Sequence, residues 1–445
     1  MKKKILILGA GMSASNLIKY LLDHSSELNW EVIVTARSTE KAKSKLEGNP
    51  NGTPKAFDIN NIDTLPEFVD DSDVVISLLP AKFHPIVAKE CLKQGKHLFT
   101  TSYVSPEMKA LDADAKAKGL LFFNECGVDP GIDHMSAMKI IDEINHAGGK
   151  LKSFESNTGG LIAPEFDNNP WHYKLTWNAR NVILAGQGGA KFLSNKKHKY
   201  IPYYQLFNRI HTISVLDYGE FEVYANRDSL AYREVYGLHD IDTIFRGTMR
   251  RPGYCKAYNV FVQLGMTDDS YEMEYPDNFT NRDFVEAFLP VNNSLSVEDN
   301  FCQYLGIDKN SDIFKKIEWL GIFHNTPVTL ENATPAQILQ SIIEPKWALG
   351  KDDLDMIVMQ HRFLYELYGK NYEHKSSLIV TGKNQIHTAM SITVGTPLAI
   401  AVKLFLTGKI NAKGVVIPVN PDLYSPILEE LENYDVKFIE EVKEV

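Results

Sequence analysis

The eleven residues Lys4–Ala14, KILILGAGMSA, constrain what this chain can fold into more than any other segment. Lys4 to Leu8 is a short aliphatic run of the kind that forms a buried strand. An amphipathic stretch from Ser13 to Leu22 follows it. Gly9 permits a tight turn out of the strand, Gly11 leaves the backbone open to a ligand, and Ala14 lets the helix pack closely. The free N–H groups and positive end of that helix then face an anion, so the arrangement fits a dinucleotide pyrophosphate. Gly9, Gly11, Met12, Ser13 and Ala14 are the candidate contacts. A tight turn with no ligand is the competing reading, and the strand–helix context near the N-terminus weighs against it.

The next 110 or so residues repeat the alternation. Strand signals lie at Trp30–Thr35, Asp73–Leu79, Lys96–Thr100 and Leu120–Phe123, with helix signals at Thr39–Leu46, Ile86–Lys93 and Pro106–Lys118. Such alternation implies right-handed crossovers and a parallel sheet covered on both faces. The second strand ends Val34-Thr35-Ala36-Arg37-Ser38, where a cofactor with a free ribose 2′-OH usually meets Asp or Glu. Arg37 and Ser38 suit a 2′-phosphate instead, which favours NADP(H) over NAD(H); a solvated or adenine-stacked Arg37 is the alternative. Leu79 and Pro80 end the strand where nicotinamide-ribose contacts normally lie. Asp58 is either an adenine neighbour or a turn residue.

Composition narrows the class. The 445 residues carry a net charge of −10, against the cation surplus a nucleic-acid or anionic-membrane binder needs. Four scattered cysteines suit a reducing compartment rather than a disulfide scaffold. Met1–Met12 imitates a signal peptide, but its apolar run breaks at Gly9. The most apolar window, Ile392–Leu406, is interrupted by Thr393, Thr396, Pro397 and Lys403, so no membrane span is expected.

Beyond residue 125 the pattern changes. Pro130–Ile144 reads as one long helix. From Lys152 to about Leu264 come period-two runs such as Phe221–Tyr224 and Tyr258–Val262, which read as strands of a mixed sheet. Helix signals follow at Arg282–Phe288, Val297–Leu305, Pro335–Ile343 and Asp352–Glu366. Leu378–Thr381 then reads as a strand and Ala389–Leu406 as a helix returning to the first domain. The expected organisation is a nucleotide-binding domain over 1–130, an α/β substrate domain over 131–280, a small helical domain over 281–375 and a C-terminal segment over 376–445. The basic run Lys196–Lys199 reads as an exposed turn.

Three segments carry the substrate chemistry. Thr100–Pro106 and Asn124–His134 each follow a strand at its carboxyl end, the crevice side of an open parallel sheet. Tyr103 and Asp129 stand out there, although Asp129-Pro130 could equally be the N-cap and first residue of the long helix. Asp133 and His134 lack a third partner for a metal, so none is expected. The third segment holds Arg227, Arg233, Arg246, Arg250 and Arg251 with no lysine, which suits a substrate with several carboxylates. Asp228, Glu234, Asp240 and Asp242 could instead draw some of them into surface pairs.

Together these segments resemble the NADP-dependent saccharopine dehydrogenases that form L-glutamate. The resemblance rests on GAGMSA (Gly9–Ala14), TTSYVSPEM (Thr100–Met108), NECGVDPGIDHM (Asn124–Met135) and AGGKLKSFESNTGGLIAPE (Ala147–Glu165). It extends to NRDS…YREVYG…FRGTMRRPGY (Asn226–Tyr254) and TVGTPLAIAVKLFLTGKI (Thr393–Ile410). It implies a Rossmann domain completed by the C-terminal segment, an α/β substrate domain, a small helical domain, cytosolic lysine metabolism and a homodimer. It places Ser102, Tyr103, Asp129, Arg227, Thr248, Met249 and Arg250 near an amino-dicarboxylate substrate, with Tyr103 and Asp129 in acid–base work. It places Asn157, Thr158, Gly159 and Asn178 near the cofactor. Thr158 stands where the family often has cysteine, so no thiolate role transfers. The implied reaction joins glutamate and 2-aminoadipate 6-semialdehyde as an imine and reduces it with NADPH. Carboxynorspermidine dehydrogenase-like chemistry and a non-catalytic NADP(H) sensor are the alternatives.

Overall fold

The computed structural model describes residues 2–445; Met1, part of the N-terminal segment read above, lies outside the described residues. The chain divides into two compact units. The first comprises residues up to Gly149 together with Leu378–Phe438, and the second Lys150–Ser377 together with Ile439–Val445.

The first unit is built on a seven-stranded sheet. Its order is Gly414–Val416, Leu121–Phe123, His97–Thr100, Val74–Ser77, Lys3–Leu8, Trp30–Ala36, Gly52–Ala56, with parallel neighbours throughout. Ile5–Leu8 and Val74–Ile76 are fully buried, because helices cover both faces and no alternation with polar residues is needed. Strand order reverses between Lys3–Leu8 and Val74–Ser77, and the carboxyl ends of these two strands open the crevice where such sheets bind ligands. The returning C-terminal segment adds the edge strand Gly414–Val416, as expected.

The helix Ala389–Leu406 is long and apolar enough to cross a membrane by length and composition, but most of it is buried inside this unit. It packs on Ser15–Ser25, and its Ser391 Oγ accepts the Asn16 N–H at 2.9 Å. The helix expected over Pro106–Lys118 is two pieces, Pro106–Lys109 and Asp112–Ala117. The long helix spans Ile132–His146 and belongs to the first unit, although it was grouped above with the substrate region.

The second unit carries a mixed sheet in the order Ile210–Ser214, Glu220–Ala225, Thr243–Arg250, Lys150–Ile162, Asp355–Leu367, Lys370–Thr381, Ile439–Glu444. Thr243–Arg250 runs parallel to Lys150–Ile162, which pairs antiparallel with Asp355–Leu367. Two expectations fail here. Tyr258–Val262 lies in a helix, Tyr254–Leu264, whose buried Tyr254, Ala257, Tyr258, Phe261 and Val262 recur at helical spacing. Asp352–Glu366, expected as a helix, supplies the central strand Asp355–Leu367. Residues 281–346 do contain helices, Asn281–Glu286, Val297–Leu305, Asp312–Trp319 and Pro335–Lys346, but 355–375 are sheet, so 281–375 is not helical throughout. The basic run turns at Asn195-Lys196, both at positive φ, and continues as the exposed hairpin strand Lys197–Ile201.

Candidate functional site

The glycine turn takes the geometry its sequence demands. Gly9 has φ +104°, and a Cβ there would lie 3.1 Å from the Leu78 carbonyl oxygen on the neighbouring strand end, so a side chain would be both strained and crowded. A Cβ at Gly11 would meet nothing within 4 Å, which leaves the space a pyrophosphate would use. Ala14 is buried against the core and Met12 is exposed. Arg37 is exposed at the end of Trp30–Ala36. Ser38 caps the helix Thr39–Ser44 by accepting the Lys41 N–H. These residues fit an NADP-type dinucleotide: an open backbone for the diphosphate and a surface guanidinium for a further phosphate. Asp58 Oδ1 accepts from Asn60 N and Nδ2 at 3.0 Å each, the bonds of a turn. Leu79 and Pro80 follow Val74–Ser77 as the sheet-edge position requires.

Tyr103 and Asp129 come together: the phenol donates to Asp129 Oδ1 at 3.0 Å. The capping reading of Asp129 fails, because the long helix begins at Ile132 with Gly131 as its N-cap. Gly131 has φ +148°, and a Cβ there would overlap the Gly127 backbone at about 2 Å. The loop therefore folds back on itself and leaves Asp129 outside the helix, facing Tyr103. Asp133 Oδ1 takes the Gly131 N–H instead, at 2.6 Å.

Two residues that sequence reasoning missed hold this arrangement. Glu125, only 6% exposed, accepts the Val104 N–H at 2.9 Å through Oε1 and meets His134 Nε2 at 2.8 Å through Oε2. Its own N–H donates to the Ser102 carbonyl at 3.1 Å. One residue thus grips the Tyr103 loop on both sides and ties it to His134. The second is His84, 3% exposed, whose Nδ1 lies 2.9 Å from Ser77 Oγ and whose Nε2 lies 2.7 Å from Ser102 Oγ. Burial lowers its pKa to about 4, so the ring is neutral at ordinary pH. A lone histidine in His84-Pro85 carries no motif; its position at the head of a helix directly after a strand end was the available signal.

In the second unit all the candidate residues except Asn178 and Arg227 lie on two paired strands. Asn157 opposes Gly247 and Thr158 opposes Thr248 across the parallel pair. Asn157 Oδ1 and Thr158 Oγ1 are buried without a hydrogen-bond partner among the described residues. Arg250, 3% exposed, sits among the rings of Tyr173, Tyr254 and Tyr224, with 5.0, 5.3 and 5.7 Å from Cζ to the centroids. Its Nη1 donates to the Met249 carbonyl at 2.8 Å, while its Nε has no hydrogen-bond partner among the described residues. Burial pushes the three phenols above their ordinary pKa, so they stay neutral. No carboxylate bridges to Arg250 among the described residues. A buried cation is costly unless it is paired. Three aromatic faces offset part of that cost, and a carboxylate ligand would complete the pairing.

The other arginines separate from it. Arg251 stacks over Phe221 and donates to the Tyr218 carbonyl. Arg233 donates to the His239 carbonyl, and Arg246 stacks 4.3 Å over Tyr232. Of the acids expected to compete, Asp228 pairs with Lys191 and Asp242 with Lys196. Arg227 is exposed with φ 47°. Met249, fully buried, alternates away from Thr248 and Arg250 along the strand, so only its main chain shares their face. Asn178 is exposed and caps the short helix Ala179–Ile183 through Arg180 N.

Residues 5–122 match the family described as saccharopine dehydrogenase NADP binding domain, and residues 127–436 that described as saccharopine dehydrogenase C-terminal domain. A Schizosaccharomyces pombe protein, saccharopine dehydrogenase [NADP(+), L-glutamate-forming], is 34% identical over 447 residues, covering 98% of each chain. The mouse mitochondrial alpha-aminoadipic semialdehyde synthase is 32% identical across 98% of this chain, which spans 47% of that protein. Among solved structures, the apo histidine-tagged saccharopine dehydrogenase (L-Glu forming) of Saccharomyces cerevisiae superposes with a TM-score of 0.89 at 30% identity, over 99% of this chain and 100% of that one. Two family matches in sequence order and end-to-end likeness agree with the glycine turn of one unit and the buried guanidinium of the other: the chain belongs to the saccharopine dehydrogenase family.

Proposed function

We propose that the chain interconverts saccharopine with L-glutamate and 2-aminoadipate 6-semialdehyde, using NADP(H), in lysine metabolism. The observation that carries this is Arg250: a buried guanidinium with no carboxylate beside it among the described residues calls for one, and saccharopine has three. NADP(H), when bound, supplies or accepts the hydride at the carbon beside the substrate nitrogen. Gly9, Gly11, Met12, Ser13 and Ala14 would hold its diphosphate, and Arg37 with Ser38 its 2′-phosphate. Asp129 holds the substrate ammonium and takes its proton before oxidation. Tyr103, hydrogen-bonded to Asp129, keeps that carboxylate oriented and passes a proton during addition of water to the imine. That water adds to carbon, the carbinolamine forms, and the C–N bond breaks to release the aldehyde and glutamate. A positioned acid or base of this kind contributes roughly 10²–10⁴ in rate.

The test is NADP+ reduction with saccharopine, read by absorbance, with glutamate and the semialdehyde identified by mass. Turnover only with aspartate semialdehyde, a diamine and NADPH would transfer the chain to polyamine chemistry. NADPH binding without turnover of either set would make it a sensor. The same reading includes a cytoplasmic homodimer. Four free cysteines, three of them buried, support a reducing compartment, and light scattering with cell fractionation tests both statements.

A further inference from the structure

We infer that His84 is a positioning residue that turns Ser102 into a hydrogen-bond acceptor for the substrate's amino group. The inference rests on the proposed reading that Ser102 faces the substrate. His84 opens the helix His84–Gln94, and its ring spans the ends of two adjacent strands. Ser77 and Thr100 are register partners at those ends. Nδ1 reaches Ser77 Oγ at 2.9 Å; Nε2 reaches Ser102 Oγ at 2.7 Å and Thr100 Oγ1 at 3.3 Å.

The inference assigns the ring one tautomer, with Nε2 as the acceptor. Thr100 Oγ1 accepts the Ser102 N–H at 3.3 Å and lies 3.3 Å from Nε2, so the single Nε2 lone pair is left to the closer Ser102 Oγ–H at 2.7 Å. In that tautomer Nδ1 carries the proton and donates to Ser77. The ring cannot escape this role by protonating, because burial and the positive end of its helix both disfavour the imidazolium. Ser102 Oγ–H is therefore spent on Nε2. The remaining lone pairs of Ser102, a half-buried residue next to Tyr103, point away from the ring. Such an oxygen suits an ammonium or amine N–H and repels a carboxylate. Ser102 thereby joins Asp129 in recognising nitrogen.

A core histidine with a purely structural role would need Ser77 and Thr100 but not Ser102, and a double-mutant cycle in the full-length protein distinguishes the two. His84→Phe should lower kcat/KM for saccharopine by about tenfold, the worth of one polar contact. NADPH affinity, read by fluorescence titration, should stay within about twofold. In a Ser102→Ala background the same change should cost less than about twofold. His84→Gln, which keeps a polar group near the Nε2 end, should recover most of the loss. Equal losses in both backgrounds, equal weakening of NADPH, or a glutamine no better than phenylalanine would overturn the inference. A silent Ser102→Ala removes the underlying reading and the inference with it. A damaging Ser102→Ala beside a silent His84→Phe removes the inference alone.

Discussion

His84 in the first unit and Arg250 in the second are equally hidden from water, yet the two sites answer that burial in opposite ways. The histidine gives up its proton and is enclosed by three hydroxyls, so its site is complete without a ligand. The arginine cannot give up its charge. It leans on three neutral tyrosines and keeps an Nε without a hydrogen-bond partner among the described residues, so its site is incomplete as it stands. A saturated network fixes geometry, whereas an unsaturated one stores affinity for whatever can complete it.

Replacing Arg250 by methionine tests the unsaturated side most severely. Saccharopine kcat/KM should fall by the equivalent of about 2–5 kcal/mol, the scale for truncating one partner of a buried charge pair. Thermal stability should hold or rise, since a desolvated charge is removed; a clear drop in melting temperature would show that the guanidinium is already satisfied. On the saturated side, His84 should impose a pH signature. Its folded pKa, about 4, lies below the ordinary 6.5. The unfolded chain therefore takes up a proton that the folded one refuses. The stability from the neutral ring is complete above about pH 6.5, is lost as pH falls toward 4 and changes no further below that. The loss should be on the order of 3 kcal/mol. Urea unfolding at pH 5 and 7.5 should show this part of the slope in the parent and not in His84→Gln.

Glu125→Leu loosens the loop beside the saturated network by removing the acceptor of the Val104 N–H and the Nε2 partner of His134. It should cost about 2 kcal/mol of stability, measured by denaturant midpoint, and should lower turnover because the Tyr103 loop loosens. The smallest effect belongs to an exposed cation. Arg37→Asp should shift preference from NADPH toward NADH by about tenfold, on the order of one charge-assisted contact. An unchanged ratio of kcat/KM for the two cofactors would detach Arg37 from the 2′-phosphate.

The two units also differ in how far sequence alone discloses them. Strands of the first are short aliphatic runs punctuated by Gly and Pro, and a sheet buried on both faces leaves that signature locally. The second unit resists because its central strand, DMIVMQHRFLYEL, is buried on both sides along most of its length. It shows no alternation, and its Met, Leu, Gln and Arg are good helix formers, so a strand looks like a helix. In Tyr254–Leu264 the reverse happens, since a five-residue window of aromatic and β-branched side chains conceals a spacing visible only over eleven. At the site, Tyr103 and Asp129 are legible because each follows a strand end. Glu125 and His84 are not, because their meaning lies in what they bond across the fold.

The path of the chain has a consequence for inheritance. Continuity passes from one unit to the other after residue 149, back after 377 and across again after 438, so residues 439–445 supply an edge strand to a sheet begun nearly three hundred positions earlier. Neither unit is a contiguous stretch of gene. A crossover anywhere in the long middle segment would sever both at once, so neither can be lent as a cassette, and the pair must travel, duplicate and diverge together.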